Sequence, residues 1–255
     1  MKNFKKLLGI LPIAALILAW EIAAQLNLTP GHFFLPSFSA VMRTLFDMII
    51  SGVLVNNLLR SLFRVLIGLF AGAFFGLTAG IVMGCSKVMD DLLHPIVSIL
   101  YPVPAVGWLP LLMLWMGIGE MLPITIIFIC SFFPTAYTTA TGIKNVDKKF
   151  IKAAETLGAS PMTILKTVVL PLALPTIFTG LRLEAGMAWR VIIAAEMVAI
   201  PTGLGALFMQ AESLIRIDII LACLIVLSVM CFIFERFFQY FESKICKWAR
   251  RLDEG

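Results

Sequence analysis

Residues Val65 to Met83 read VLIGLFAGAFFGLTAGIVM, nineteen positions without a charge. About twenty apolar residues make one helical crossing of a bilayer roughly 30 Å thick. The other structure that survives in lipid is a closed barrel, whose strands alternate polar and apolar residues. This run does not alternate, so it is read as a helix. Gly68, Gly72, Gly76, Gly80 and, one step beyond, Gly84 recur every four positions. Small residues at that spacing let a second helix approach closely in lipid. Each step turns an ideal helix by about 400°, so the stripe creeps round the surface by about 40° per step. The stripe is read as a packing surface.

The rest of the chain has the same character. Its 255 residues are 60% hydrophobic and 14% charged, with a mean hydropathy of +1.00. Soluble domains are nearer half apolar and a quarter charged. Further apolar runs are Leu7–Leu26, Pro95–Gly119, Met121–Ile143, Thr176–Ile200 and Ile217–Phe241. Lys2, Lys5 and Lys6 precede the first, which is long and interrupted by Glu21. It is therefore expected to stay as a span and not to be cleaved as a signal peptide. The run from Pro95 carries Pro95, Pro102, Pro104 and Pro110. Proline removes a donor and kinks a helix, and in lipid such breaks survive where protein or a wet cavity re-satisfies the backbone. That span is expected to line the interior. Ala40–Ile50 reads as a short amphipathic helix capped by Ser39. The expected fold is an all-α membrane protein of about six spans, one domain over 1–255 with its core at 57–241.

The net charge of +5 is a matter of topology, with no call for nucleic acid. With six spans, every lysine falls on one side together with Arg236, Arg250 and Arg251. Arg43, Arg60, Arg64 and Arg216 fall on the other. The positive-inside bias places both termini in the cytoplasm, with Arg60 and Arg64 running against it. Cys85, Cys130, Cys223, Cys231 and Cys246 form no Cys-x-x-Cys pair, which argues against a disulfide framework or zinc site. There is no phosphate-binding G-x-x-x-x-G-K-[ST] and no H-E-x-x-H. His32 and His94 read as ordinary loop or helix-end residues. No nucleophile–base cluster appears, and no cofactor or metal is expected.

Between the fourth and fifth runs lies KNVDKKFIKAAETLGASPMTILKTVVLPLALP, residues 144–175. Asp147 can cap a helix starting at Lys148. Gly158 supplies the left-handed residue that ends it. Ser160 followed by Pro161 is a fresh cap with a first-turn proline. A second helix carries Ile164, Leu165, Val168 and Val169, and Pro171 and Pro175 are expected to break it. Helix–glycine–helix alone is common. Ala153, Ala154 and Glu155, then Gly158, then Leu170 and Pro171 resemble the EAA loop of binding-protein-dependent ABC importer permeases, with the glutamate after the alanines. LPSFSAV from Leu35, SLFRVLIG at Ser61–Gly68, YPVPAVGWLPLLMLWMGIGE at Tyr101–Glu120 and AAEM at Ala194–Met197 resemble the nitrate, sulfonate and taurine branch.

The resemblance implies a six-helix type I importer fold working as a permease homodimer in the cell membrane. It also implies cytoplasmic ATPase subunits, an extracytoplasmic solute-binding protein, and a small anion as cargo. A thiamine-precursor pyrimidine or related heterocycle is the alternative cargo. An ion-coupled secondary transporter would show internal repeats, and none is found. The positions implied to couple to the ATPase are Ala153, Ala154, Glu155, Leu157, Gly158 and Ala159.

Charges within spans usually face an interior and pair. Arg182 and Glu184 can flank the membrane edge of the fifth run and snorkel. Arg190 lies deeper. Arg190 and Glu196 are six apart, about 120° round an ideal helix, so they should pair with other helices. Arg190, Glu196, Pro102 and Pro104 are the candidates for a translocation pathway, against a structural pairing of Arg190 with Glu21 or Glu196.

Overall fold

The computed structural model describes residues 2–26 and 35–246, without the side chains of 2–10 and 13. His32, Lys247, Arg250, Arg251 and the side chains of Lys2, Lys5 and Lys6 lie outside that description. All regular structure among the described residues is helical. The α-helices in order are α1 (Lys2–Gln25), α2 (Phe38–Ile50), α3 (Val53–Cys85), α4 (Lys87–Leu100), α5 (Leu109–Met116), α6 (Met121–Lys144), α7 (Lys148–Thr156), α8 (Pro161–Ile164), α9 (Leu170–Ala199), α10 (Leu204–Ser213) and α11 (Ile217–Ile245), with a 3-10 turn at Ala105–Trp108 and a π turn at Leu165–Val169.

Four rods are long and apolar enough to cross a bilayer: α3, α6, the continuous Pro161–Ala199 and α11. A fifth crossing is broken, with α4 and the Ala105–Met116 segment meeting at 92°. The break falls at Tyr101–Pro104, where Pro102 and Pro104 cannot donate to a helical ladder. At 24 residues, α1 is about 36 Å long, enough to cross as well.

The glycine stripe sets the centre of the bundle. A Cβ on Gly72 would lie 2.7 Å from the Phe128 carbonyl and from Ser131, and one on Gly76 would lie 2.7 Å from the Phe132 carbonyl. Gly68 meets Ile127, Gly80 meets Thr139 and Gly84 meets Ile143, so one offset of 59 residues holds along the stripe (127−68 = 143−84 = 59). Two things follow. The creeping stripe stays on one partner, so α3 and α6 wind around each other, right-handed for a repeat longer than 3.6. They also run in the same direction, so the chain between them must return across the bundle, and the bent α4–α5 unit is what returns. On its other side α6 meets α9 antiparallel, Gly142 against Thr176 and Gly180 against Thr138. Ser131, Thr135 and Thr139 are buried in the α3–α6 seam and their hydroxyls find no partner among the described residues. Trp189 is fully buried between α9 and α11, edge-on to Phe234 at 5.4 Å. The opposite face of α3 exposes Leu59, Phe63, Phe70 and Phe74, as a lipid-facing surface does.

Three local expectations are corrected. The α2 cap is Ser37, whose hydroxyl accepts from the Ala40 N–H; Ser39 is occupied by Glu21, to which both its N–H and its hydroxyl donate. Pro171 and Pro175 do not break the second helix of the loop. Leu165–Val169 forms one wide π turn just before Pro171, and the rod runs on to Ala199. Such a bulge re-registers the ladder where proline lacks its N–H. His94 lies within α4, at neither a loop nor a helix end, and stacks on Tyr137.

Candidate functional site

Three places carry the polar chemistry of the bundle. The first is α7, beyond the ends of α3 and α6. Asp147 accepts from the Lys149 N–H at 2.9 Å and fixes the start of the helix. Gly158 has φ +79° and ends the turn that follows it. Ser160 accepts from Thr163 N–H and Pro161 opens α8, so the local chemistry of the loop is as its sequence predicts. Ile151, Ala154 and Ala159 pack towards Ile143, Ile164 and Val169. Phe150, Ala153, Glu155 and Leu157 remain exposed, Leu157 at 87%. A cavity of about 700 Å³ under α7 is lined by Glu155, Ala159, Lys144, Lys148 and Gly84. Lys144 pairs with Asp90 of α4 at 2.5 Å. A short amphipathic helix thus stands at one end of the bundle, anchored by its inner apolar residues, with Phe150 and Ala153 exposed beside Lys149, Lys152 and Glu155.

The second place is at the opposite end, where the sequence reading missed a cluster. Arg64 is 1% exposed and uses all five of its N–H donors. Its Nε and Nη2 donate to Glu120 at 2.7 and 2.8 Å, and its Nη1 donates to Glu196 at 2.6 Å. The remaining two donate to the carbonyl and hydroxyl of Thr202. Glu196, fully buried, also accepts from the Ser61 hydroxyl and the Gly205 N–H. Leu204 N–H donates to Ser61 and Gly203 N–H to Asn57. The first turn of α10, whose N–H groups have no helical acceptors, is therefore capped by side chains of α3 and α9. A carboxylate there also meets the positive end of the helix dipole. Arg64's hydrogen bonds hold the Glu120 carboxyl, which lies outside the spans, below its ordinary range. A signal was available: Asn57, Ser61 and Arg64 continue the Gly68 stripe at helical spacing, on the face that turns inward.

The third place is a cavity of about 600 Å³ beneath the break between α4 and α5. Tyr101, Pro102, Pro104 and Phe133 line it on one side, and Glu184, Arg190 and Val191 of α9 on the other. The structure brings Arg190, Pro102 and Pro104 together and separates them from Glu196. Neither sequence-level partner holds Arg190: Glu196 belongs to Arg64, and Glu21 accepts from Ser39 and Gln25. Arg182 pairs with Glu242 of α11 at 3.3 Å near the α7 end, as a flanking charge does. Glu184 does not flank; it faces the cavity. The described residues hold no group of three or more potential metal ligands.

The model of the family described as "Binding-protein-dependent transport system inner membrane component" matches residues 72–247. The chain is 37% identical to a candidate ABC transporter permease of Methanocaldococcus jannaschii, over 98% of this chain and 95% of that one. It is 35% identical to the taurine transport system permease of Escherichia coli, over 94% of this chain and 89% of that one. Its fold is similar to that of an amino acid ABC transporter crystallised with histidines, at a TM-score of 0.65. That match covers 78% of this chain and 97% of the other at 18% identity, and speaks for the fold alone.

Proposed function

This chain belongs to the binding-protein-dependent transport system inner membrane components, and from that premise we propose how its parts serve ATP-driven import. The chain is the membrane-spanning permease subunit. ATP is hydrolysed on separate cytoplasmic ATPase subunits, and an extracytoplasmic binding protein delivers the solute. Two copies of the chain form the channel, with both termini in the cytoplasm. The cargo is a small anion of the nitrate, sulfonate or taurine type.

The observation that carries the reading is α7. It is too short to be stable alone, yet it is capped at both ends and anchored by Ile151 and Ala154. It leaves Phe150, Ala153 and Leu157 uncovered on one side. That surface fits a groove on the ATPase, with small Ala153 allowing close approach and Glu155 meeting a basic or amide group. The short link Asn145–Asp147 ties α7 to α6, so a push on α7 reaches the bundle.

The test is ATP-dependent uptake in proteoliposomes holding the permease, its ATPase and its binding protein. Removing the ATPase should abolish uptake. Nothing lies within 4 Å of a Cβ on Gly158, so Gly158→Val disturbs only the left-handed backbone, where a β-branched residue is disfavoured. Gly158→Val and Glu155→Lys should each abolish uptake while the protein remains in the membrane. Normal uptake and normal co-purification of the ATPase with both variants refutes the assignment of α7.

A further inference from the structure

α2 is too short to cross a bilayer and too apolar to sit in water. Its 13 residues reach about 20 Å, against about 30 Å for the hydrocarbon layer. Both of its ends are fixed at the tips of spans. At its start, the Ser39 N–H and hydroxyl donate to Glu21, one turn from the end of α1. Trp20 beside it donates from Nε1 to the Pro36 carbonyl and meets Phe38 edge-on at 5.5 Å. In its middle, the Thr44 hydroxyl donates at 2.8 Å to Asp218 in the first turn of α11. At its end, Ser51 and the left-handed Gly52, φ +74°, turn directly into α3. One short helix thus meets the tips of three spans and lies across them, at the end of the bundle away from α7.

The helix divides into three faces. Counting about 100° per residue from Val41, Leu45 and Met48 fall within about 40° of it. Val41 and Met48 are buried, and Leu45 and Met48 join the core that holds Leu54 and Trp189. Ile49, Met42, Phe46 and Ile50 follow between about 80° and about 180°, and all four are exposed. Ser39 falls in the same sector, with its hydroxyl given to Glu21. Arg43, Asp47 and Ala40 occupy about 200° to about 260° and are exposed as well.

A helix wholly in water would not carry four large apolar side chains in one uncovered stripe. A helix wholly in lipid would not leave Arg43 and Asp47 uncovered. Protein, hydrocarbon and water disposed round one axis is the situation of a helix lying in the membrane interface. Two further observations point to lipid as the cover. The apolar stripe continues past Gly52 into Val53, and then into Leu59 and Phe63 on the lipid-facing side of α3. Trp20 stands at the same level, and the amphipathic indole ring is favoured at the membrane–water boundary.

We propose that α2 is an in-plane anchor in the bilayer interface, with Met42, Phe46, Ile49 and Ile50 among the acyl chains and Arg43 and Asp47 in water. It fixes the depth of the bundle at that end, because α1, α3 and α11 are all tied to it. The proposal is independent of the cargo and of the contact between α7 and the ATPase.

The test places the photoreactive residue p-benzoylphenylalanine at position 46, 50, 43 or 47 in turn. Position 70, where Phe70 is exposed on α3, serves as the lipid-facing reference. The complete complex of permease, ATPase and binding protein is irradiated in liposomes of phosphatidylethanolamine and phosphatidylglycerol. Mass spectrometry then counts adducts to phospholipid and to protein. Lipid adducts at positions 46 and 50 should approach the yield at position 70 and exceed those at 43 and 47 about fivefold or more. Assembly of the complex should match wild type in every variant. Lipid yields at 46 and 50 no higher than at 43 and 47 overturn the proposal, because the helix then has no lipid face distinct from a water face. Adducts at 46 and 50 mainly to a second permease copy or to the binding protein overturn it too, since a protein then covers the stripe. Loss of the assembled complex at both 46 and 50 has the same force, because those side chains then pack on protein.

Discussion

Arg64 and Arg190 are the same side chain placed in apolar helices, and the fold treats them in opposite ways. Arg64 is sealed among α3, α9, α10 and the start of α6, with each of its five N–H groups given to an acceptor. Arg190 lines a cavity and makes no ion pair or side-chain hydrogen bond among the described residues. The carboxylates on α9 divide likewise: Glu196 has three kinds of donor, and Glu184 has none among the described residues. A buried charge that is fully answered is a fastening, and breaking it strands its partner. Proximity to a predicted span does not separate the two cases; the donor count does.

The largest effect should come from breaking the fastened pair. Arg64→Met strands Glu196, which is fully buried, and removing one partner of a buried pair costs about 3–5 kcal/mol. Loss of the assembled complex on size exclusion, or a large fall in its melting temperature, is expected. The double variant Arg64→Met with Glu196→Met should recover part of that loss, because well-packed apolar groups often replace a buried pair without penalty. Next in size, Arg190→Gln should slow uptake of any anionic cargo about tenfold or more and leave melting nearly unchanged. A destabilised complex with normal turnover per surviving transporter would erase the distinction between the two arginines.

Glu120 is the exposed arm of the cluster, its side chain 58% accessible, so solvent screening reduces its share to about 0.5 kcal/mol. Its depressed carboxyl gives the sign of the pH effect. The contribution is complete above the ordinary carboxylate range and is lost as pH falls through the lower folded value. Glu120→Gln should therefore melt slightly below wild type by a constant offset from about pH 8 to about pH 5, and the two curves should converge in acid. The smallest effect is expected at Thr135, buried in the α3–α6 seam without a partner for its hydroxyl. Thr135→Ala keeps the residue small and removes an unanswered polar group, so stability should change by less than about 0.3 kcal/mol.

What could be read in the sequence was what acts over short distances. Asp147, Gly158, Ser160 and Pro161 each shape the backbone within a turn of themselves, and the loop they specify is the loop that forms. The glycines at 68 to 84 announced a close neighbour by spacing alone. The neighbour's identity was not legible, because α6 lies 59 residues further on. The Arg64–Glu196 bond joins residues 132 apart, and each was seen as a lone awkward charge. Ser39 looked as good a cap as Ser37 until Glu21, 18 residues away, claimed it. Pro171 was read as a stop because proline normally is one; a single π turn absorbed it.

The fixed offset between α3 and α6 has a mechanical consequence. A slide of one residue would take each glycine off the α6 residue it accommodates and bring a side chain where no Cβ fits, so the pair resists shear. It can only tilt or rotate as one beam, roughly 36 Å long over the 24 residues of α6. α7 joins one end of that beam through three residues of link, and Glu120 and Arg64 stand at the other end. The give in the bundle then belongs to the elements outside the beam, above all the proline break at Tyr101–Pro104, the one sharp bend among the described spans.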